Sequence, residues 1–110
     1  MRVIEKKISN AVLASKSFSG GNTVVHTDGH KTECILHGNK IFQLDRKTNE
    51  FKWHDCGWTT RTTLSRLNAC FDAIHALTGK TYRYSRVHDV GHVFRLDCKR
   101  HDEVACSRDF

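Results

Sequence analysis

The 110-residue sequence contains no proline. Interdomain linkers and disordered segments are commonly enriched in it, so its absence argues against a hinge, and a chain of this length fits one domain spanning 1–110. Five cysteines (Cys34, Cys56, Cys70, Cys98, Cys106) form no C-x-x-C pair, and an odd number cannot pair fully within one chain. A reduced, cytosolic setting is the simpler expectation. No stretch approaches the roughly 20 apolar residues of a membrane span, and the opening MRVIEKKISNAVLAS lacks the apolar run of about 7–15 residues that marks a signal peptide. Neither membrane association nor secretion is expected.

What is present is an ordinary globular composition, 38% hydrophobic and 27% charged, with a net charge of +6. A basic surface attracts polyanions, nucleic acid above all. The charge divides evenly, with nine basic and six acidic residues in each of 1–55 and 56–110, so there is no basic tail. Within 80–100, however, Lys80, Arg83, Arg86, Arg95, Lys99 and Arg100 face only Asp89 and Asp97, which concentrates four of the six net charges.

Turn signals recur at short intervals over 22–54. Asp28-Gly29 separates NTVVHT from HKTECIL as the preferred pair of a two-residue type I′ hairpin. Gly38-Asn39 separates TECILH from KIFQLD in the type II′ order, and DRKTN precedes EFKWHD, in which Phe51 and Trp53 alternate with Lys52 and His54. Four short antiparallel strands forming a meander are expected. From Leu64 the period changes: Leu64, Leu67, Phe71 and Ile74 share one helical face with Cys70, and Gly79 stands where a C′ residue belongs. Ala69, Ala73, Ala76 and Leu77, bordered by Arg66, make a second stripe on the opposite side, which reflects either helix propensity or a face packed on another chain, including a second copy. KTYRYSRV and HVFRLDC read as two further strands around Asp89-Val90-Gly91. Residues 1–16 fit either a short helix or an edge strand, and little pattern follows His101, so a loose tail is expected from about 101. The fold class is α+β, an antiparallel sheet packed on one main helix in the order ββββαββ.

The segment Gly57, Trp58, Thr60, Thr62, Thr63, Arg66, Leu67, Asn68 resembles a family of small tailed-phage proteins carrying G-W-x-T-x-T-T-x-x-R-L-N. Gly21-Asn22-Thr23 and the turn segment Leu36-His37-Gly38-Asn39 match the same family, so the resemblance covers about 20–70. It departs from that pattern at Thr59, Arg61 and Leu64, and the loss of a proline at position 61 bears on the geometry of the first helical turn. The resemblance implies a phage origin and a place in the cytoplasm of the infected host. It implies no activity, and phage proteins of this size commonly act by binding a host protein or nucleic acid.

Two surfaces could carry such binding. A helix begins with unpaired N–H groups that favour anions, so Thr60, Arg61, Thr62, Thr63 and Arg66 stand where a phosphate could sit. The ordinary alternative is a threonine cap with Trp58 packed beneath the helix. Lys80, Tyr82, Arg83, Tyr84 and Arg86 alternate basic and aromatic residues, as stacked bases beside phosphates require. The alternative is tyrosines packed on the core with solvated cations. Histidine and cysteine pairs such as Cys34/His37 point to opposite faces of a strand, and no metal site, cofactor or catalytic residue is expected. The sequence therefore favours a non-enzymatic phage accessory protein that binds a host protein through Arg66, Ala69, Ala73 and Ala76 or the exposed sheet. Its rival is a nucleic-acid-binding module using Thr60, Arg61, Thr62, Arg66 and the 80–86 strand.

Overall fold

Alternation builds the first sheet. In β2 (Thr23–Thr27) and β3 (Lys31–Leu36), Thr23, Val25, Thr32, Cys34 and Leu36 turn inward while their neighbours face out. These strands lie in a five-stranded antiparallel meander completed by β1 (Phe18–Gly20), β4 (Asn39–Asp45) and β5 (Phe51–Trp53). The computed structural model describes residues 3–97 and 103–104. Helix α1 (Val3–Ala14) precedes the sheet, and α2 (Arg61–Thr78) leads to a second, three-stranded antiparallel sheet of β6 (Tyr82–Val87), β7 (Val90–Arg95) and β8 (Glu103–Val104). The expected α+β class and the ββββαββ core of the order hold, with α1, β1 and β8 added. Cys98, Lys99, Arg100 and Cys106 lie outside the described residues.

The turns differ from expectation in register. Leu36 pairs with Asn39, so the β3–β4 turn is His37-Gly38, with φ of 50° and 79°. Positive φ at both positions is the type I′ signature. The β6–β7 turn is likewise His88-Asp89, at 51° and 62°. At Asp28-Gly29 only the glycine has positive φ, and the loop is longer than two residues because Thr27 pairs with Thr32. The Asp28 carboxylate accepts from the backbone N–H of Lys31 and His30 at 2.7 and 2.9 Å, and those bonds hold its pKa below the ordinary 3.8.

An aromatic cluster joins the layers. Phe71 of α2 meets Phe42 and Phe51 edge-on at 5.9 and 5.5 Å, and Tyr82 of β6 meets Phe51 at 4.8 Å. The edge of β6 facing α2 is closed by one side chain: Asn68 accepts from Tyr84 N–H at 2.8 Å and donates to Tyr84 C=O at 3.2 Å. The amide thus supplies the two bonds that a neighbouring strand would make.

Of the expected alternatives for the N-terminal segment, the helix is the one formed, over Val3–Ala14. Ile8, Ala11 and Val12 of α1 are buried, and α1 packs along α2. The carbonyls of Val12 and Leu13 are capped by Arg46 Nη1 at 3.3 and 3.1 Å, satisfying acceptors that every helix C-terminus leaves open. This corrects the expected outer stripe of α2. Arg66, Ala69 and Ala73 are buried within the chain and only Ala76 is exposed; the alanines are small so that a helix of the same chain can approach.

Ala73→Leu should therefore overpack the α1–α2 contact and cost on the order of 1–3 kcal/mol. Urea unfolding monitored by circular dichroism checks this. An unchanged midpoint would mean that the stripe faces water.

Candidate functional site

The segment DCGWTT carries the chain from β5 into α2 through a tight turn. Cys56 and Gly57 have φ of 56° and 77°, Trp58 N–H donates to Asp55 C=O at 2.9 Å, and Asp55 Oδ1 accepts from Gly57 N–H at 3.0 Å. The other carboxylate oxygen, Oδ2, accepts from the Tyr84 hydroxyl at 3.0 Å. Gly91 of β7 lies against both groups, so close that a Cβ there would collide with the Tyr84 hydroxyl and the Asp55 carboxylate. The turn is thereby anchored to the second sheet. Its effect is to hold Trp58 out: the side chain is 62% exposed. The expectation that Trp58 packs beneath the helix is corrected, and the physical reason is the type I′ geometry, which reverses the chain before the indole can reach the core.

Thr60 is the N-cap, with extended backbone and its Oγ1 accepting from Thr63 N–H at 3.2 Å. The expected cap is present without the proline that the resemblance puts at position 61. Beside it, the β-bulge in β4 between the Cys34 and Ile35 partners leaves Ile41 unpaired on the ladder and turned inward. His54 N–H donates to Ile41 C=O at 2.9 Å. The α2 N-terminus, Trp58, Ile41, Leu36, Cys56 and the His37 and Asn39 turn residues together enclose a cleft of about 360 Å³. Its walls are largely apolar and its rim is polar.

Two segments on which the phage resemblance rests, 57–68 and 36–39, thus meet at one cleft. The third joins them: Asn22 C=O accepts from His37 N–H at 2.9 Å, and Asn22 Nδ2 lies 3.3 Å from His37 Nε2.

The sequence-expected residues do not form one surface. Thr60, Arg61 and Thr62 stand at the start of α2, and Arg86 joins them by donating to Thr59 C=O at 2.7 Å. Lys80 is exposed past the far end of this 18-residue helix, about 27 Å away at 1.5 Å per residue. Arg83 is paired with Asp72 at 2.7 Å. Tyr84 is only 2% exposed, so its ring is closed to stacking, while Tyr82 is half-buried with its ring packed edge-on against Phe51. This corrects the expected basic-aromatic face at Tyr84: period two placed both tyrosines on the same side, and that side packs on the core. Arg95 donates to both oxygens of Asp97 at 2.8 and 3.1 Å, and the bond holds that carboxyl down at about 2. The positive run from 80 to 97 is thus partly neutralised in place. Arg66 does not line the cleft and donates instead to Thr23 and Ser65.

Nucleophilic chemistry has no support in the cleft. Burial, reinforced by the Asp55 charge, raises the Cys56 thiol above its ordinary 9.0, so it stays protonated at neutral pH. His54 Nδ1 accepts from the Cys56 backbone N–H at 2.6 Å instead of engaging the sulfur. No three His, Cys, Asp or Glu side chains among the described residues converge as metal ligands. The cleft is thus an apolar recess beside an exposed indole.

The family model of the Kyanoviridae Gp96 protein matches residues 1–89. The chain belongs to that family. It is a phage protein family, in agreement with the phage origin implied by the three segments, and every residue of the cleft falls inside the matched span. No curated protein and no solved structure matches the chain.

The raised Cys56 pKa sets a reactivity test. Alkylation of Cys56 by iodoacetamide, followed by peptide mass spectrometry, should be slower than that of a free cysteine at pH 7.5 and should accelerate as pH rises past 9.0. A rate at pH 7.5 equal to or above that of the free thiol would contradict the protonated assignment.

Proposed function

We propose that this phage protein is a non-enzymatic accessory factor that works in the host cytoplasm by binding a host protein, with the cleft at the start of α2 as the contact surface. The observation that carries the reading is Trp58, held 62% exposed by a tight turn beside an apolar cleft. Exposing an indole to water is unfavourable, and tryptophan is among the residues that most often dominate protein interfaces. A recess of about 360 Å³ suits one or two large apolar side chains of a partner, and the polar rim of His37, Asn39, Thr60 and Thr62 offers the hydrogen-bonding groups of an interface edge.

The nucleic-acid reading retains Arg61 and Arg86 near the α2 N-terminus but lacks stacking rings beside them other than Trp58. That reading becomes an outcome of the same test.

Affinity capture from cross-linked, infected host cells, with the wild type and Trp58→Ala in parallel, should recover a host protein whose yield falls with the variant. A central tryptophan anchor is worth about 2 kcal/mol or more, roughly a 30-fold loss of affinity. The purified wild type, titrated into labelled single-stranded and duplex DNA and RNA, should bind weakly and lose that binding as salt rises. Equal recovery by both forms removes the cleft from the reading. Saturable binding to one form of nucleic acid that survives near-physiological salt replaces it with nucleic-acid recognition.

A further inference from the structure

Arg66 is the one charged side chain among the buried described residues, 9% exposed. Its Nε donates to Thr23 Oγ1 at 3.0 Å and its Nη1 to Ser65 Oγ at 2.9 Å. Both partners are neutral hydroxyls, and no carboxylate among the described residues pairs with the guanidinium. Arginine cannot relieve such burial by losing its proton, so the charge stands without a counter-charge in a place where charge is costly.

Arg66 borders an open groove of about 540 Å³ between α1 and the β1–β2 turn, which shares no lining residue with the Trp58 cleft. Lys7 of α1 lines it as a second cation, and no Asp or Glu lines it. Asn22 and the backbone of Gly20 and Gly21 form one wall, while Ile4 and Phe18 form an apolar one. Gly20 is required there, since a Cβ would come within 2.6 Å of the Phe18 ring and 3.3 Å of Ile4 Cδ1. Nη2 of Arg66 has no hydrogen bond among the described residues and is not sealed from solvent, which leaves its donors open to the groove.

We propose that this groove binds a small organic oxyanion, a carboxylate or phosphate monoester with a short apolar body. The anionic group takes the free guanidinium donors and Lys7, and the apolar body lies against Ile4 and Phe18. Two cations and no acid set the sign of the ligand, and the planar donors of arginine suit an oxyanion. This inference stands apart from the Trp58 cleft and does not depend on it.

The test is an NMR titration of the uniformly nitrogen-15-labelled full chain with hexanoate and with butyl phosphate at fixed ionic strength, with acetate, inorganic phosphate and chloride as comparisons. At least one of the two apolar-bodied anions should bind saturably, shifting the amides of Lys7, Gly20, Gly21 and Asn22. It should bind several-fold more tightly than acetate or inorganic phosphate, and which of the two binds better identifies the headgroup. Lys7→Gln, an exposed position, should weaken binding several-fold, and Arg66→Met, if folded by circular dichroism, should abolish it. The proposal is overturned if neither anion saturates, if chloride reproduces the shifts, or if Lys7→Gln binds as the wild type does.

Discussion

Helix α2 is buried around more than half of its circumference, and the rest of the architecture follows from that constraint. Leu67, Cys70, Phe71 and Ile74 enter the core that the sheets share, while Ala69 and Ala73 admit α1. A helix enclosed in this way cannot rotate without exposing one apolar face. Its start is therefore fixed against the β3–β4 turn, and its Arg66 is carried into a place that no acid of the described residues reaches. The cleft, lined by Thr62 and Thr63, and the groove, lined by Arg66, are both consequences of that one placement.

Much of this could be read from the residues. The change from period two to the helical period locates α2, Gly79 closes it with φ of 76°, and a threonine cap is required by any helix that begins in Thr-Thr-Arg-Thr-Thr. The meander likewise follows from its turn signals. Turn register did not follow: His37-Gly38 and Gly38-Asn39 both contain a glycine able to take positive φ, and only the pairing of Leu36 with Asn39 separates them. Helix α1 was equally obscure, because VIEKKISNAVLA has too few apolar residues to exclude an edge strand, and the capping role of Arg46 joins positions 33 and 34 residues apart.

The candidate sites were half legible, for a related reason. Periodicity says which side chains share a face but not which face is inward. Tyr82 and Tyr84 do lie on one side, and that side packs on the core, burying Tyr84 and half-burying Tyr82. Ala69 and Ala73 share a stripe, and the covering element is the N-terminal helix of the same chain. Trp58 reverses the usual expectation that a large aromatic is buried, because two consecutive residues of positive φ stand before it. Those two, Cys56 and Gly57, were visible in the sequence, but a cysteine gives little notice that it will adopt φ of 56°.

One residue pair decides how the two surfaces can be told apart. Asn22 lines the groove and His37 lines the cleft, and the two are joined by a backbone bond of 2.9 Å as well as by their side chains. A substitution at either would disturb both surfaces, since moving the β1–β2 turn moves the β3–β4 turn with it. Trp58 and Lys7 have no such link: each borders one recess and not the other. The shared turn pair is thus the structural joint between two chemically distinct recesses, one apolar beside an indole and one cationic beside an apolar wall.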